Sequence, residues 1–142
     1  MTQPIAKSLD ELAVFKIDPS DSNYFACIAD PVADGAPFLQ IIEIYEVGGA
    51  TPPNTHKTAY ELFYILAGTG RGICDGVTVD LAPGSTLLIP PGKEHVVENT
   101  GTGKLYAITT MVPNEDFAEL IHSGHKVSLD AEDRRVLSGL TP

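Results

Sequence analysis

The sequence predicts an all-β fold, an antiparallel sandwich or barrel with short helices at its C-terminal end. Between residues 38 and 112, short apolar or alternating runs are separated by Gly, Pro and Asn-Thr-Gly signals, and helical periodicity is absent. We therefore predict strands over residues 38–46, 61–67, 70–74, 77–81, 85–89, 95–99 and 104–111.

Turn signals separate these strands. Asp75-Gly76 joins two of them and is the dipeptide that a two-residue hairpin favours, because both central residues must adopt positive φ. The Ala-Gly-Thr-Gly run at 67–70 and the Thr-Gly-Thr-Gly run at 100–103 supply two more turns.

Two short helices are predicted after the last strand. Asn114 can cap the first, whose apolar residues Phe117, Leu120 and Ile121 recur at i, i+3 and i+4 spacing. Gly124 can end that helix, and Ser128 is predicted to cap a second helix over residues 130–137. Both helices should pack on the β region.

The first 37 residues are less regular. We expect a brief helical turn at 8–12 and extra strands at 14–17 and 24–28. With no repeat or interdomain linker in the sequence, the chain is interpreted as one domain. Residues 1–37 form an extension packing on or across the barrel, residues 38–112 the barrel core, and residues 113–142 a helical segment of the same domain.

Composition excludes several functional classes. The chain has 142 residues, of which 43% are apolar, enough for one core. Nine Lys and Arg against 19 Asp and Glu give a formal charge of −10, which argues against nucleic acid and anionic membranes as partners.

The sequence has neither a signal-peptide pattern nor an apolar run long enough for a membrane span, so a cytoplasmic location is expected. Cys27 and Cys74 lack CxxC spacing and are interpreted as buried free thiols.

Two glycine-bounded segments carry the chemistry. Residues 48–61 contain His56 and Glu61, and residues 84–95 end at His95. Neutral imidazoles and an ionised carboxylate together suit a borderline divalent ion and leave coordination positions open for substrate. These segments therefore predict a metal site.

The same segments resemble the paired motifs of the cupin superfamily, G(x)5HxH(x)3–4E(x)6G and G(x)5PxG(x)2H(x)3N. The second motif matches at every position, which are Gly84, Pro90, Gly92, His95 and Asn99. The first matches at Gly48, His56, Glu61 and Gly68, while Asn54 occupies its first histidine position. The resemblance implies a double-stranded β-helix, the cupin jelly-roll barrel.

The resemblance also implies a ligand set. His56, Glu61 and His95 would hold one divalent ion, Fe(II), Mn(II), Ni(II) or Zn(II), with Asn54 completing or loosely supporting the coordination shell. Asn54 and His56 are two residues apart on an extended segment, so their side chains should share a face. A carboxamide oxygen is a weaker ligand than imidazole for late first-row metals, which favours oxygen-tolerant ions.

Four further residues are candidates for the substrate pocket. Phe63 should face inward with Glu61, and Val97 and Asn99 should continue the face that begins at His95. Tyr106 could donate a hydrogen bond to substrate, although either face of strand 104–111 could line the cavity. His122 and His125 are interpreted as surface residues.

The remaining set of two histidines and one carboxylate has the composition of non-haem Fe(II) enzymes. We therefore expect a dioxygenase acting on a small organic acid or a sugar-derived substrate. A cupin isomerase, decarboxylase or lyase is the alternative, as is a small-ligand binding cupin without turnover. A homodimer is also expected, because Leu62, Tyr64 and Leu66 should point outward from the strand that carries Glu61.

Overall fold

The computed structural model describes residues 3–139 and confirms the all-β class, a double-stranded β-helix with short helices. Ten strands are present in the described residues: β1 Val14–Lys16, β2 Asn23–Ala29, β3 Leu39–Tyr45, β4 Tyr60–Ala67, β5 Gly70–Cys74, β6 Val77–Leu81, β7 Thr86–Ile89, β8 His95–Asn99, β9 Leu105–Val112 and β10 His125–Lys126. β5, β6 and β8 have the predicted bounds, and the other four predicted core strands differ by one residue at one or both ends.

The strands form two antiparallel sheets. The larger has the order β10-β1-β2-β3-β9-β4-β7, and the smaller has the order β6-β5-β8. Isolated bridges from Ala50 to Glu98 and from Asn54 to His95 lay the segment before β4 along β8. Asp75 and Gly76 both have positive φ, 52° and 77°, as the predicted hairpin turn between β5 and β6 requires.

Side chains of β3, β4 and β9 alternate between the two faces of the larger sheet, apart from a register shift between Ile65 and Ala67. Inward positions of β3, β4 and β9 are Leu39, Ile41 and Tyr45, then Phe63 and Ile65, then Leu105, Ala107 and Met111, all at most 1% exposed. This face also carries a few buried polar groups, Glu43, Glu61 and Thr109. The barrel is therefore an apolar container with a polar zone on its inner wall.

The N-terminal segment joins the larger sheet of its own chain. A 3₁₀ turn at Leu9–Glu11 precedes β1, and β2 pairs with β3. A short helix that the sequence interpretation lacked, α1 at Pro31–Asp34, follows β2. Asp30 caps it by accepting a hydrogen bond from the Ala33 N–H at 2.7 Å, and Gly35 ends it with φ of 69°.

The C-terminal segment contains α2 at Phe117–His122 and α3 at Ala131–Ser138. Asn114 was predicted to cap α2, but the N-cap position is Asp116, whose side chain makes no capping hydrogen bond. The Oδ1 of Asn114 still accepts from the Ala118 N–H at 2.9 Å, so Asn114 binds the first turn of α2 from two residues before the cap. The prediction that Ser128 caps the second helix is wrong. Asp130 is the cap, and it accepts from the Asp133 N–H at 2.8 Å while the Asp133 carboxylate accepts from the Asp130 N–H.

The outer face of β3 and β9 is covered within the chain. Tyr24, Ile42, Ile44, Tyr106 and Leu129 form a buried cluster there, against which Val136 and Leu137 of α3 pack. Within residues 3–139, no helix has the length and apolar character needed to cross a bilayer.

Candidate metal centre

Three side chains converge inside the barrel at the start of β4 and β8. Glu61 is the second residue of β4, His95 is the first residue of β8, and His56 lies on the extended segment that enters β4. One carboxylate oxygen, Oε1 of Glu61, is 3.2 Å from Nε2 of His56 and 2.7 Å from Nε2 of His95. One potential ligand atom from each residue lies within 4.8 Å of the others.

Burial and hydrogen bonding set the charges of this group. Burial alone would raise the pKa of Glu61, but the hydrogen bonds from His56 and His95 lower it below its usual range. Burial would lower the pKa of His95, yet its hydrogen bond to Glu61 prevails and raises it. The Glu61 carboxylate is therefore held in its ionised form between the two rings, the form in which a carboxylate binds a divalent ion.

The backbone fixes both rings. His95 and Asn54 exchange two backbone hydrogen bonds of 3.0 and 3.2 Å, and Gly92 donates to the His56 carbonyl at 2.7 Å. Gly92 has φ of 81°, a conformation that is strained for residues with a Cβ atom, so the turn before β8 favours glycine. Nδ1 of His95 lies 3.0 Å from the Lys93 carbonyl, which directs Nε2 toward Glu61.

Glu115 holds the loop that follows His56. Its carboxylate accepts hydrogen bonds from the N–H groups of Lys57, at 2.9 Å, Thr58, at 2.8 Å, and Ala59. These bonds lower the pKa of Glu115 to about 2. Phe117, two residues later, packs edge-on against the His56 ring at 6.2 Å between centroids. The entry to α2 therefore positions His56, a link that sequence spacing does not reveal.

Asn54 is joined to the site through its backbone, which pairs with that of His95. Its Nδ2 donates to the Pro52 carbonyl at 3.2 Å, and its buried Oδ1 has no hydrogen-bond partner among residues 3–139. No hydrogen bond in that range joins the Asn54 side chain to His56, Glu61 or His95. The Oδ1 of Asn54 is thus a buried acceptor without a partner in that range.

Two of the four pocket candidates face the interior as apolar wall. Phe63 is buried and packs edge-on against His95, with 6.4 Å between ring centroids. Val97 is fully buried in the same cluster as Phe63. Both side chains keep water away from the histidine rings.

Tyr106 and Asn99 have structural roles, contrary to the prediction. Tyr106 lies on the outer face of β9, and its hydroxyl donates to Oδ1 of Asp133 at 2.7 Å. The Asn99 carboxamide donates to the carbonyls of Tyr45, Glu46 and Gly103 and accepts from the Gly101 N–H. Every polar atom of its side chain is engaged, so it has none to offer a substrate.

Glu43 is a functional candidate that sequence reasoning missed. It is 4% exposed on the inner face of β3 and accepts from Asn23 Nδ2 at 3.2 Å and from the Thr109 hydroxyl at 3.4 Å. Burial, helped by the charge of Glu61, raises its pKa to about 8. The sequence did contain a signal for it, because Glu43 is two residues from both Ile41 and Tyr45 and therefore shares their inward face of the strand.

Glu43 should make the stability of the metal-free protein pH-dependent. Its folded-state pKa of about 8 exceeds the ordinary value of 4.5, so the folded chain keeps a proton that the unfolded chain loses in this interval. The stabilisation that the Glu43 proton gives the folded state is complete below pH 4.5, and it is lost as pH rises toward about 8. Denaturant unfolding at about pH 5 and about pH 9 should show Glu43→Gln gaining stability relative to wild type at the higher pH. Glu94→Gln, at an exposed position, is the control; a pH-independent difference for Glu43→Gln would contradict this assignment.

A cavity of about 330 Å³ opens beside Glu43 and Asn54. Its apolar wall includes Ile17, Phe25, Phe117 and Leu120, and its polar lining includes Asp18, Asp21, Asn23 and Thr51. No Lys or Arg lines it within the described part of the chain. A larger cavity of about 470 Å³ lies near the N-terminal segment and contains none of the candidate ligands.

The two remaining histidines differ from each other. His125 is exposed, as expected. His122 was expected at the surface, but its side chain is only 18% exposed and its Nε2 lies 2.9 Å from the buried carboxylate of Asp30. The partner lies 92 residues away in the sequence, so helix periodicity could not reveal it.

The chain is similar to known proteins over this region. A cupin-domain family model matches residues 41–113. An uncharacterized protein of Methanocaldococcus jannaschii is 34% identical over 70 residues, 49% of this chain and 56% of that protein. The match therefore spans little more than half of that relative.

Solved structures extend the similarity to most of the fold. A predicted oxalate decarboxylase from Thermotoga maritima has a TM-score of 0.68 at 20% identity and covers 77% of this chain and 99% of its own. KdgF from a Halomonas species has a TM-score of 0.66 at 17% identity, with coverage of 77% and 94%. At such identities the similarity shows the fold alone. The family model covers just over half of the sequence and includes His56, Glu61 and His95, so the chain belongs to the cupin family.

Proposed function

We propose that this cupin is a metal-dependent enzyme, with a divalent ion held by His56, Glu61 and His95 and a dioxygenase reaction on a small substrate. The observation that carries the proposal is the meeting of two imidazole Nε2 atoms at one buried carboxylate oxygen. A glutamate in an apolar barrel is costly without a partner, and a metal ion satisfies it together with both rings.

The donor set fits the proposed ion. Two neutral nitrogens and one anionic oxygen suit Fe(II), Mn(II), Ni(II) or Zn(II), and this composition supports oxygen chemistry when the ion is iron. Asn54 could add its free carboxamide oxygen as a further ligand. When bound, such an ion supplies Lewis acidity and, if redox-active, a site for dioxygen.

The surrounding residues would prepare the site. Phe63 and Phe117 pack edge-on against His95 and His56 and exclude water from those sides of the rings. Glu115 fixes the backbone that follows His56. Glu43, with its raised pKa, could donate a proton or a hydrogen bond to substrate in the adjacent cavity.

The cavity lining bears on the substrate class. Three carboxyl groups, of Asp18, Asp21 and Glu43, line it, and no described lining residue is a cation that could pair with an acid. Of the two expected substrate classes, a neutral, hydroxylated, sugar-derived molecule therefore suits the lining better than an organic acid. An acid would have to ligate the metal directly.

Oxygen-uptake measurements test the proposed reaction. The protein is first loaded with Fe(II) under anaerobic conditions and then exposed to dioxygen. It should consume dioxygen only when a suitable member of a panel of sugar-derived and acidic substrates is added. Glu61→Gln should abolish this uptake, while Glu94→Gln, at an exposed position, should retain it. Carbon dioxide release without oxygen uptake would instead indicate a decarboxylase, a class that the name of the Thermotoga maritima protein makes a specific alternative. Binding without any product would indicate a binding cupin.

We also propose a homodimer formed through an outer face of the larger sheet. Tyr60, Leu62 and Tyr64 of β4 are 53%, 40% and 45% exposed, and Leu88 of β7, 57% exposed, is in register with Leu62. Leu66, in contrast, is half-buried against the cluster on the outer face of β3 and β9. The exposed residues form an apolar surface next to an edge strand, the kind of surface that subunit contacts cover.

Light scattering tests this interface. Wild type should have the mass of two chains, and Leu62→Lys should have the mass of one, because the new charge would have to be desolvated in the contact. Val77→Lys, at an exposed position of β6, should remain dimeric. A monomeric wild type, or a dimeric Leu62→Lys variant, would contradict the proposed interface.

A further inference from the structure

A second group of metal-binding side chains lies where β2, α1 and α2 meet. Cys27 is on β2, Asp30 is the residue before α1, and His122 is the last residue of α2. One potential ligand atom from each lies within 4.8 Å of the others. The group shares no residue with the centre formed by His56, Glu61 and His95.

Asp30 supplies this group with a buried carboxylate, whose Oδ1 accepts from the Ala33 N–H and whose Oδ2 faces His122. Asp30 is fully buried, and although burial raises its pKa, the hydrogen bond with His122 lowers it overall, so the carboxylate is ionised. Lys7, the nearby amine, is paired with Asp34 at 2.7 Å. Within residues 3–139, the His122 ring contacts the Asp30 carboxylate, with Nε2 2.9 Å from Oδ2.

The three donors suit a soft or borderline divalent ion. A thiolate, a carboxylate and a neutral imidazole carry two negative charges together, so the loaded site would be neutral in a buried setting. Two residues separate Cys27 from Asp30, the spacing of many zinc chelates, and the third donor arrives from a distant element. A tetrahedral ion with bonds of about 2.0–2.3 Å would need the donors to move closer together by side-chain rotation.

We propose that Cys27, Asp30 and His122 form a second metal site, for Zn²⁺ or a similar thiophilic ion, that ties α2 to the β2–α1 corner. The partly exposed His122 provides the entry side. Binding would form a sulfur–metal bond at Cys27, and the thiol proton would leave to solvent. Without metal, burial raises the pKa of Cys27 to about 12, so the thiol is protonated and inert.

Cobalt(II) is the probe, because a thiolate ligand gives Co²⁺ an intense near-ultraviolet charge-transfer band that imidazole and carboxylate do not produce. The chain has two cysteines, so each can be tested alone. When Co²⁺ is added to chelator-treated wild type, the band should reach the intensity of one thiolate-bound Co²⁺ ion per chain. Cys74→Ser should show the same band. Zn²⁺ should bleach the band by competition.

Further variants locate the other ligands. His122→Ala should lower the Co²⁺ affinity measured from this band by at least about 10-fold, while His125→Ala should leave it unchanged. The double variant His56→Ala, His95→Ala should retain the band, which separates this site from the proposed catalytic centre. No band in folded wild type, or a band lost in Cys74→Ser, would overturn the proposal. Because Cys74→Ser leaves Cys27 as the one thiol, the test does not depend on a Cys27 variant folding.

Discussion

His95→Ala is expected to lower the affinity of the protein for Mn²⁺ by at least about 100-fold, because changing groups that merely orient metal ligands already costs about 10–100-fold. Nε2 of His95 lies 2.7 Å from Oε1 of Glu61, so the variant removes one donor and leaves a buried carboxylate with fewer partners. Mn²⁺ prefers nitrogen and oxygen donors, which keeps the measurement insensitive to Cys27. Calorimetric titration of metal-free protein gives the affinity directly.

His125→Ala is the matched control, since His125 is exposed and lies outside the centre. Its Mn²⁺ affinity should equal that of wild type. Glu61→Gln should weaken binding at least as much as His95→Ala, because it removes the anionic donor that both rings contact. Equal affinities for wild type, His95→Ala and Glu61→Gln would show that manganese binds elsewhere.

Asp133→Ala is expected to destabilise the fold by about 3–5 kcal/mol, the cost typical of removing one partner of a buried ion pair. Asp133 is fully buried and accepts hydrogen bonds from the hydroxyls of Tyr24 and Tyr106, both at 2.7 Å, and from Lys104 Nζ at 3.1 Å. Burial would lower the pKa of Lys104, but its hydrogen bonds to Asp130, Tyr24 and Asp133 raise it overall. The substitution leaves the buried hydroxyls of Tyr24 and Tyr106 without their acceptor and removes one carboxylate from Lys104, which keeps Asp130 at 2.6 Å.

Denaturant unfolding measures this effect, with Glu132→Ala as the control at an exposed position of the same helix turn. Glu132→Ala should change stability by less than about 0.5 kcal/mol. Asp133→Asn, which keeps an acceptor oxygen but loses the charge, should fall between the two. If Asp133→Ala were as stable as Glu132→Ala, the network would not hold α3 on the sheet.

Local patterns predicted the strands well because each one is bounded by turn chemistry. Asp75-Gly76 forms the expected hairpin between β5 and β6, which keep their predicted bounds. The face of β9 could not be chosen locally, since both of its faces are apolar and α3 covers the outer one. For this reason the sequence left the face of Tyr106 open, and the structure places it on the outer face.

Some misses had local signals and others did not. The signals for α1 were present in the sequence. Asp30 is a typical N-cap residue, Pro31 follows it at the first helical position, and Gly35 can end the helix. Ser128 was chosen as a cap where Asp130 forms a capping box with Asp133. β10 has only two residues and depends on pairing with β1, a contact that the sequence does not encode locally.

The candidate centre was easier to predict than its surroundings. Motif spacing identified His56, Glu61 and His95, which the fold brings together at one carboxylate oxygen. Glu43, by contrast, is a single acid in an apolar strand. The carboxylate that holds the loop after His56 belongs to Glu115, which lies 56 to 58 residues beyond the N–H groups that it accepts from. Such long-range contacts follow from topology, so a pattern read along one segment cannot supply them.

Anomalous diffraction from crystals of the Mn²⁺-loaded protein locates the bound ion. We expect one manganese peak at about 2.0–2.3 Å from Nε2 of His56, Nε2 of His95 and a carboxylate oxygen of Glu61. The proposed metal centre would be contradicted if crystals grown with saturating Mn²⁺ showed no peak there and the two rings remained hydrogen-bonded to the Glu61 carboxylate.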